Sequence, residues 1–367
     1  MEQPKKRVRP GRVPAPGGRT SRPRQAEVAR LAGVSQATVS LVLSAKGTDR
    51  KGPNISEETR QKVLDAARTL GYVPDPAARR LAAARNNLLG VFSFTATFPT
   101  EVQHSYYPFL VGVEREAAAR GYDLVLFTGS STGGAGAAGP EALSRVRLAD
   151  GCLFLGRHAP LAELKRLVDD GFPVVHLGRR EELEGLAWVG ADYVSASREV
   201  VTHLARAGHR RIVLVREDDD APASADRQQG FLEGLEANGL TGGPAPVFRS
   251  PDPEKDLTVS RLRAWMAEGV TAFVAEETDT GAAWRALRAA VASAGLDCPG
   301  EVSLALLGSP PADMTAGPEP TGFDIPRPQL GAAAVRLLAA LVAGEEAGEP
   351  LVACAFRQGG TSGPPQG

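Results

Sequence analysis

From residue 88 onward, short apolar runs alternate with amphipathic stretches of helical length, and this rhythm restricts the fold more than any other feature. LLGVFSF, DLVLFTG, GCLFLG, FPVVHLG, RIVLVRE, TAFVAEE and VSLALLG have the length and composition of strands. Interspersed are PFLVGVEREAAARGY, LAELKRLVDDG, SASREVVTHLARAG, QQGFLEGLEANG and GAAWRALRAAVASAG, which read as helices. Parallel strands cannot be joined by a tight turn, so alternating strand and helix predicts parallel sheets covered by helices. Two such units form two lobes with a cleft between them, and a ligand would bind outside the carboxyl ends of the strands.

The first 85 residues follow another pattern. They hold 18 Lys and Arg against 7 Asp and Glu, a surplus of 11 positive charges, while the rest of the chain carries a net −12. A basic head on an acidic body points to a nucleic-acid-binding module at one end. Part of the excess lies in residues 1–24, a low-complexity basic stretch expected to be disordered, which serves solubility equally well. That stretch has no apolar core behind it and does not read as a secretory signal. No apolar run reaches the roughly 18 residues of a membrane span. Cys152, Cys298 and Cys354 are far apart and outside any metal-ligand spacing. Each is expected to be a reduced, buried thiol in a cytoplasmic protein.

Within the head, QAEVARLA (25–32) has helical composition, with Val28, Leu31 and Ala32 on one face. Gly33 can take the left-handed conformation that ends a helix sharply. Ser35 then caps a second helix over 36–43, whose Val39 and Val42, with Val34, face back toward Val28 and Ala29. This is a helix-turn-helix signature. The second helix presents Gln36, Ala37, Thr38 and Ser40, short side chains suited to the major groove. A third helix is capped by Ser56, carries Glu57 and Glu58 in its first turn, and ends at Gly71. Asp75 and Pro76 then open an Ala-rich stretch, AARRLAAAR, too short to be a stable helix alone.

The run EVARLAGVSQATVSLVLS, followed by ISEETRQKVLDAARTLGYVPDPAARRLA, resembles the lactose-repressor (LacI/GalR) family. The resemblance implies a helix-turn-helix domain over 25–72 and a hinge over 73–87. It implies that Ser35 and Thr38 contact phosphates, that Gln36 and Ala37 read bases, and that Ser40 and Ser44 lie near the DNA backbone. Tyr72 would bridge the head to that backbone. Ala78 and Leu81 would enter the minor groove, with Leu81 as the wedge that unstacks a base step; an ordinary core leucine is the alternative. Leu41 stands where many members carry a guanine-reading Arg, and Ser44 replaces the common Asn. Arg24 stands where a Thr caps the first helix, and the loop 45–54 is longer than in the shortest members.

The body resembles the same family's periplasmic-binding-protein-like (type I) sensor domain, most clearly in VGADYVSASREVVTHLARAGHRRIVLV. The resemblance implies a domain over 88–362, with one lobe at 88–187 and 321–345 and the other at 188–315 and 349–362. The fold class is then an all-α helix-turn-helix head joined to a two-lobed α/β sensor. His203 and His209 read as structural, since no acid or nucleophile accompanies them to make a triad. Arg227 falls where members place a cleft arginine that bonds the effector, with a surface role as the alternative. Glu276-Glu277 replaces the usual Asn-Asp, and Pro310 follows Gly308-Ser309 where sugar-binding members carry an Asp. Phe94, Phe98, Tyr106 and Tyr107 lie near the expected cleft mouth, so the effector positions are Phe94, Tyr107, Arg227 and Glu276. These departures count against a simple sugar and leave room for an unusual ligand or a degenerate cleft.

The expected protein is a cytoplasmic, dimeric repressor that binds a pseudo-palindromic DNA operator under the control of a small molecule. It has no catalytic residues, no metal site and no cofactor. An effector-independent regulator or activator is the alternative, and a solute-binding protein a distant one. Leu81→Ala should weaken operator binding far more than binding to random DNA. Equal losses in a titration of both duplexes would remove the wedge assignment.

Overall fold

The structure, a computed structural model, describes residues 23–44, 55–73, 86–94, 106–127, 143–241, 245–311, 313–314, 317–346, 348 and 351–366. The basic tail, the loop 45–54 and the hinge with Ala78 and Leu81 lie outside the described residues, as does Phe98. The chain divides into two compact units, Met1–Arg85 and Asn86–Gly367.

Three helices form the first unit: α1 (Gln25–Ala32), α2 (Gln36–Ser44) and α3 (Glu57–Leu70). Their shared core is Val28, Ala29, Val39, Val42, Val63, Ala66 and Ala67. Each buried valine contributes roughly 1.5–3 kcal/mol by leaving water, so a core this small depends on clean helix ends. Gly33 turns the chain at φ 68° and Gly71 at φ 62°, where a Cβ would be strained. Ser56 Oγ accepts the Thr59 amide at 3.3 Å to start α3. Arg24 replaces the usual side-chain cap of α1, and its own amide donates to Glu27 Oε2 at 2.9 Å instead.

The second unit contains two six-stranded sheets. The first runs β11-β5-β4-β3-β1-β2, with β1 Leu88–Ser93, β2 Asp123–Phe127, β3 Gly151–Leu155, β4 Val174–Leu177, β5 Ala187–Ala191 and β11 Leu351–Val352. Every pairing in it is parallel. The second runs β12-β10-β9-β8-β6-β7, with β6 Ile212–Glu217, β7 Val247–Ser250, β8 Ala272–Glu276, β9 Ser303–Leu307, β10 Thr321–Asp324 and β12 Ala355–Arg357. Only β12 is antiparallel, to β10. The chain therefore passes between the lobes three times: after β5, after β10 and after β11.

These crossings move the lobe boundaries expected above. Residues 188–191 belong to the first sheet and not the second lobe. Thr321–Asp324 pairs with β9 in the second sheet, and Leu351–Val352 pairs with β5 in the first. β10 spans four residues and β11 two, and which sheet a short strand joins depends on its partners rather than on its own pattern.

Each lobe is closed by a helix pair that meets through glycine. In the first, α4 (Tyr107–Ala119) crosses α11 (Arg327–Ala343). A Cβ on Gly112 would lie 1.9 Å from Pro328 O, and one on Gly331 2.2 Å from Phe109 O. In the second, α6 (Tyr193–Ala207) meets α7 (Pro222–Ala237), and a Cβ on Gly230 would lie 2.1 Å from Val194 O. Backbone cannot retreat from such contacts as a flexible side chain can.

His203 and His209 tie down the end of the chain. His209 bonds Thr271 Oγ1 at 2.8 Å and Gly363 O at 2.9 Å, and His203 bonds Ser362 Oγ at 3.1 Å. All three cysteines are free thiols, but only Cys152 is fully buried; Cys298 and Cys354 are partly exposed. Among the described residues, no helix is long and apolar enough to cross a membrane.

Gly112→Ala should cost about 3 kcal/mol of unfolding free energy through overpacking. Gly348→Ala, where an added methyl meets nothing within 4 Å, should stay within about 0.5 kcal/mol. Urea denaturation of both variants checks the difference.

Candidate functional site

Two surfaces gather the chemistry, one in each unit. In the head it is the outer face of α2. Val39 and Val42 turn inward, which leaves Gln36, Ala37, Ser40 and Leu41 exposed on the opposite side. Ser35 Oγ accepts the Thr38 amide at 3.1 Å and sits 2.9 Å from Thr38 Oγ1, so the two hydroxyls are fixed at the start of the helix. A helix start offers free amides and positive potential to a phosphate. Gln36 extends beside it with both a donor and an acceptor, the pattern that pairs with adenine in the major groove. Gln25 Nε2 donates to Gln36 O at 3.4 Å and links α1 to this first turn. Leu41 is 43% exposed and offers only methyl groups. Tyr72 packs against the head core, half-buried. Ser44 ends α2.

The second surface is the cleft of the body, a cavity of about 130 Å³. Its floor is apolar, with Leu177, Val189, Ile325 and Leu330. Its walls hold arginines and Glu277 from strand ends, and Asp219 and Glu276 stand next to those arginines without lining the cavity. Arg157 follows β3, Arg179 and Arg180 follow β4, and Asp219 follows β6. Glu276 ends β8, with Glu277 next to it.

These groups neutralise one another. Arg157 donates to Asp219, to Ser224 and, at 3.4 Å, to Glu276. Arg179 forms a two-pronged pair with Asp226, at 3.0 Å through Nε. Glu276 is fully buried and lies 3.5 Å from Arg216 Nε. Arg227 donates to Leu307 O at 2.9 Å, reaches Glu277 at 3.4 Å and stacks over the Tyr193 ring at 3.9 Å. Arg327 shares Glu277. Its Nε is buried without a partner.

Burial sets the ionisation of the site. It works to raise the Asp219 carboxyl, but the Arg157 bond and the Ala221 amide outweigh it and hold that carboxyl low. For Asp226 burial prevails over Arg179, and the carboxyl is pushed up. Beneath the wall, burial and then the Arg180 charge push His176 down to about 3, so it is neutral at pH 7. Its Nδ1 donates to Gly178 O at 2.9 Å.

Of the four expected effector positions, the structure brings only Arg227 to the cleft wall. Phe94 packs on Phe154 and Phe92 in the first lobe's core, with ring centroids 5.7 and 5.2 Å away. Tyr107 is 73% exposed, and its neighbour Tyr106 lines the cleft. Glu276 lies behind the wall, and its neighbour Glu277 lines it. Glu276 and Glu277 differ by the alternation of a strand, and Tyr106 and Tyr107 by the turn of about 100° per residue of a helix start. Arg157, Arg179, Arg180, Asp226 and Arg327 were not singled out by sequence. One signal marks the first two: Leu-Gly-Arg occurs twice, at 155–157 and 177–179, each time at the carboxyl end of a strand.

A family profile described as bacterial regulatory proteins, lacI family, matches residues 26–75, and one described as periplasmic binding protein-like domain matches 201–357. The HTH-type transcriptional regulator CelR of Thermobifida fusca is 31% identical over 342 residues, covering 89% of this chain and 94% of the relative. A solved transcriptional regulator CelR–cellobiose complex is 26% identical and aligns with a TM-score of 0.58 over 93% of this chain and 100% of that one. The lac repressor dimer bound to operator and the anti-inducer ONPF aligns at 0.68 over 92% and 98%, and at 20% identity it shows the fold alone.

Glu276→Ala would leave the buried Arg216 without its carboxylate partner and remove an acceptor from Arg157 and Ser224. It should cost about 3–5 kcal/mol of stability. Glu181→Ala, which removes a 62% exposed partner of Arg179, should cost at most about 1 kcal/mol. Equal urea midpoints for the two variants would contradict this account.

Proposed function

The chain belongs to the lacI family of bacterial regulatory proteins, and from that premise we propose that it is a homodimeric repressor whose operator affinity is set by a small molecule in the body cleft. The protein is a helix-turn-helix, DNA-binding transcriptional regulator. The observation that carries the finer reading is the outer face of α2, where Gln36, Ala37, Ser40 and Leu41 stand exposed beside the Ser35–Thr38 hydroxyl pair. In this reading Gln36 and Ala37 contact bases, Ser35 and Thr38 contact phosphates, and Ser40, Ser44 and Tyr72 approach the backbone. Leu41 substitutes a thymine-methyl contact for a guanine contact. The hinge residues Ala78 and Leu81 enter the minor groove.

A second copy of the chain supplies the second half-site, and the operator is accordingly pseudo-palindromic. The exposed Leu124 and Leu126 on the edge strand β2 support an apolar contact between copies. In the cleft, the Arg227–Arg327 pair and the Tyr193 and Phe109 rings fit a small polar molecule with a ring and acceptor oxygens. The solved CelR complex holds cellobiose; the arginine-rich wall here fits a more acidic or more highly oxygenated molecule.

Selection from random duplexes should return a palindromic consensus. Its affinity should fall steeply with salt, by about 0.9 log units per tenfold rise for each phosphate contacted. Binding indifferent to sequence would overturn the repressor reading. A metabolite that raises the melting temperature of the protein should also release the operator. Arg227→Ala should abolish that release while keeping operator binding, and unchanged release would remove Arg227 from the ligand site.

A further inference from the structure

Two arginines of the first lobe, Arg157 and Arg179, are paired with the second lobe. Arg157 and Arg179 each stand two residues beyond a first-sheet strand, after Gly156 and Gly178. Their principal partners all lie on the other side of the cleft. Asp219 stands two residues beyond β6, Ser224 and Asp226 are in α7, and Glu276 ends β8.

These pairs are sheltered. Arg157 and Asp219 are each 17% exposed in their side chains, and Asp226 is 5% exposed. An ion pair in open water contributes little, but sheltered pairs interact more strongly, and the two-pronged Arg179–Asp226 pair also fixes geometry. The two arginines are also mechanically joined. Arg180, 4% exposed, donates to Arg157 O at 2.7 Å, Gly156 O at 3.0 Å and Arg179 O at 2.8 Å. One buried guanidinium thus ties together the two loops that carry Arg157 and Arg179, so they shift as a unit.

The second lobe is built to survive their departure. Without Arg157, Asp219 still accepts the Ala221 amide at 2.8 Å, and Glu276 still has the Ser224 hydroxyl and Arg216. Asp226, 5% exposed in its side chain, would reach water only as the lobes part. Breaking the contacts therefore leaves Asp219 and Glu276 with partners of their own, and only Asp226 must exchange its arginine for water.

We propose that Arg157 and Arg179, coupled through Arg180, form an ionic latch that holds the two lobes closed without any ligand. The latch rests on the reading of this cleft as the regulatory site and gives that site its resting state. A ligand then acts by competing with Asp219 and Asp226 for the arginines, and the unliganded cleft does not stand open. The equilibrium between lobe positions is biased before any effector arrives.

The test uses the ligand-free full chain with spin labels on noncanonical residues at Lys165 in the first lobe and Ala237 in the second, both exposed. Double electron–electron resonance should give one narrow distance for the unsubstituted latch. Asp219→Asn with Asp226→Asn keeps side-chain volume and removes both charges. It should raise the population at other distances by about tenfold, the effect of roughly 1.4 kcal/mol. The charge exchange Arg179→Asp with Asp226→Arg should restore the narrow distance that Asp226→Arg alone loses. If the double asparagine variant fails to fold, Asp226→Asn alone carries the measurement. A distance distribution unchanged by the asparagine substitutions, or one already broad in the parent chain, overturns the latch. The readout needs neither DNA nor effector. Operator binding by the same samples reports separately on the repressor reading.

Discussion

Parallel strand pairing is the constraint on which the body depends. A parallel strand cannot return beside its neighbour without a crossover, so each sheet must carry helices, and its strands end along one edge. With two such sheets facing each other, both sets of strand ends meet at one cleft. Arg157, Arg179 and Glu277 are there because each follows a strand. The glycine contacts of Gly112 with Pro328 and of Gly230 with Val194 hold the covering helices close enough to seal the apolar faces.

The cleft shows how such an edge accommodates charge. Glu276 is buried, yet it lies within reach of Arg157 and Arg216 and accepts from Ser224. Arg180 is as deeply buried and is satisfied mostly by backbone carbonyls. His176 beneath it stays neutral, because desolvation and that neighbouring cation both oppose a second positive charge. Charges arranged in this way contribute little net stability but fix which loops lie together, since an incorrect arrangement leaves a buried charge alone.

The head solves a different problem with less material. Its core is a few valines and alanines, so its three helices are set by caps and turns: Gly33, Gly71, Ser35 and Ser56. Putting Val39 and Val42 into that core turns Gln36, Ala37, Ser40 and Leu41 outward together. The exposed face of α2, which we propose meets DNA, is thus a consequence of packing on the other side of the same helix.

Much of this was legible in the sequence. Helix starts and stops of the head followed from Ser, Gly and the apolar spacing. Seven strands of the body followed from apolar runs bounded by turn residues. Helix α11 leaves no such signal, because Leu330, Ala333, Ala334, Val335, Leu337 and Leu338 bury it on most sides and erase its stripe. Only the tertiary structure decided that β5 and β11 join the first sheet and β10 the second. It alone chose Tyr106 over Tyr107 and Glu277 over Glu276 for the cleft wall. It also brought Arg157 to Asp219 across 62 positions and to Glu276 across 119. Caps, turns and periodicity act over a few residues, so the sequence displays them. Sheet membership, the facing of adjacent side chains and the partners of buried charges are settled by packing between distant segments, and no local pattern encodes them.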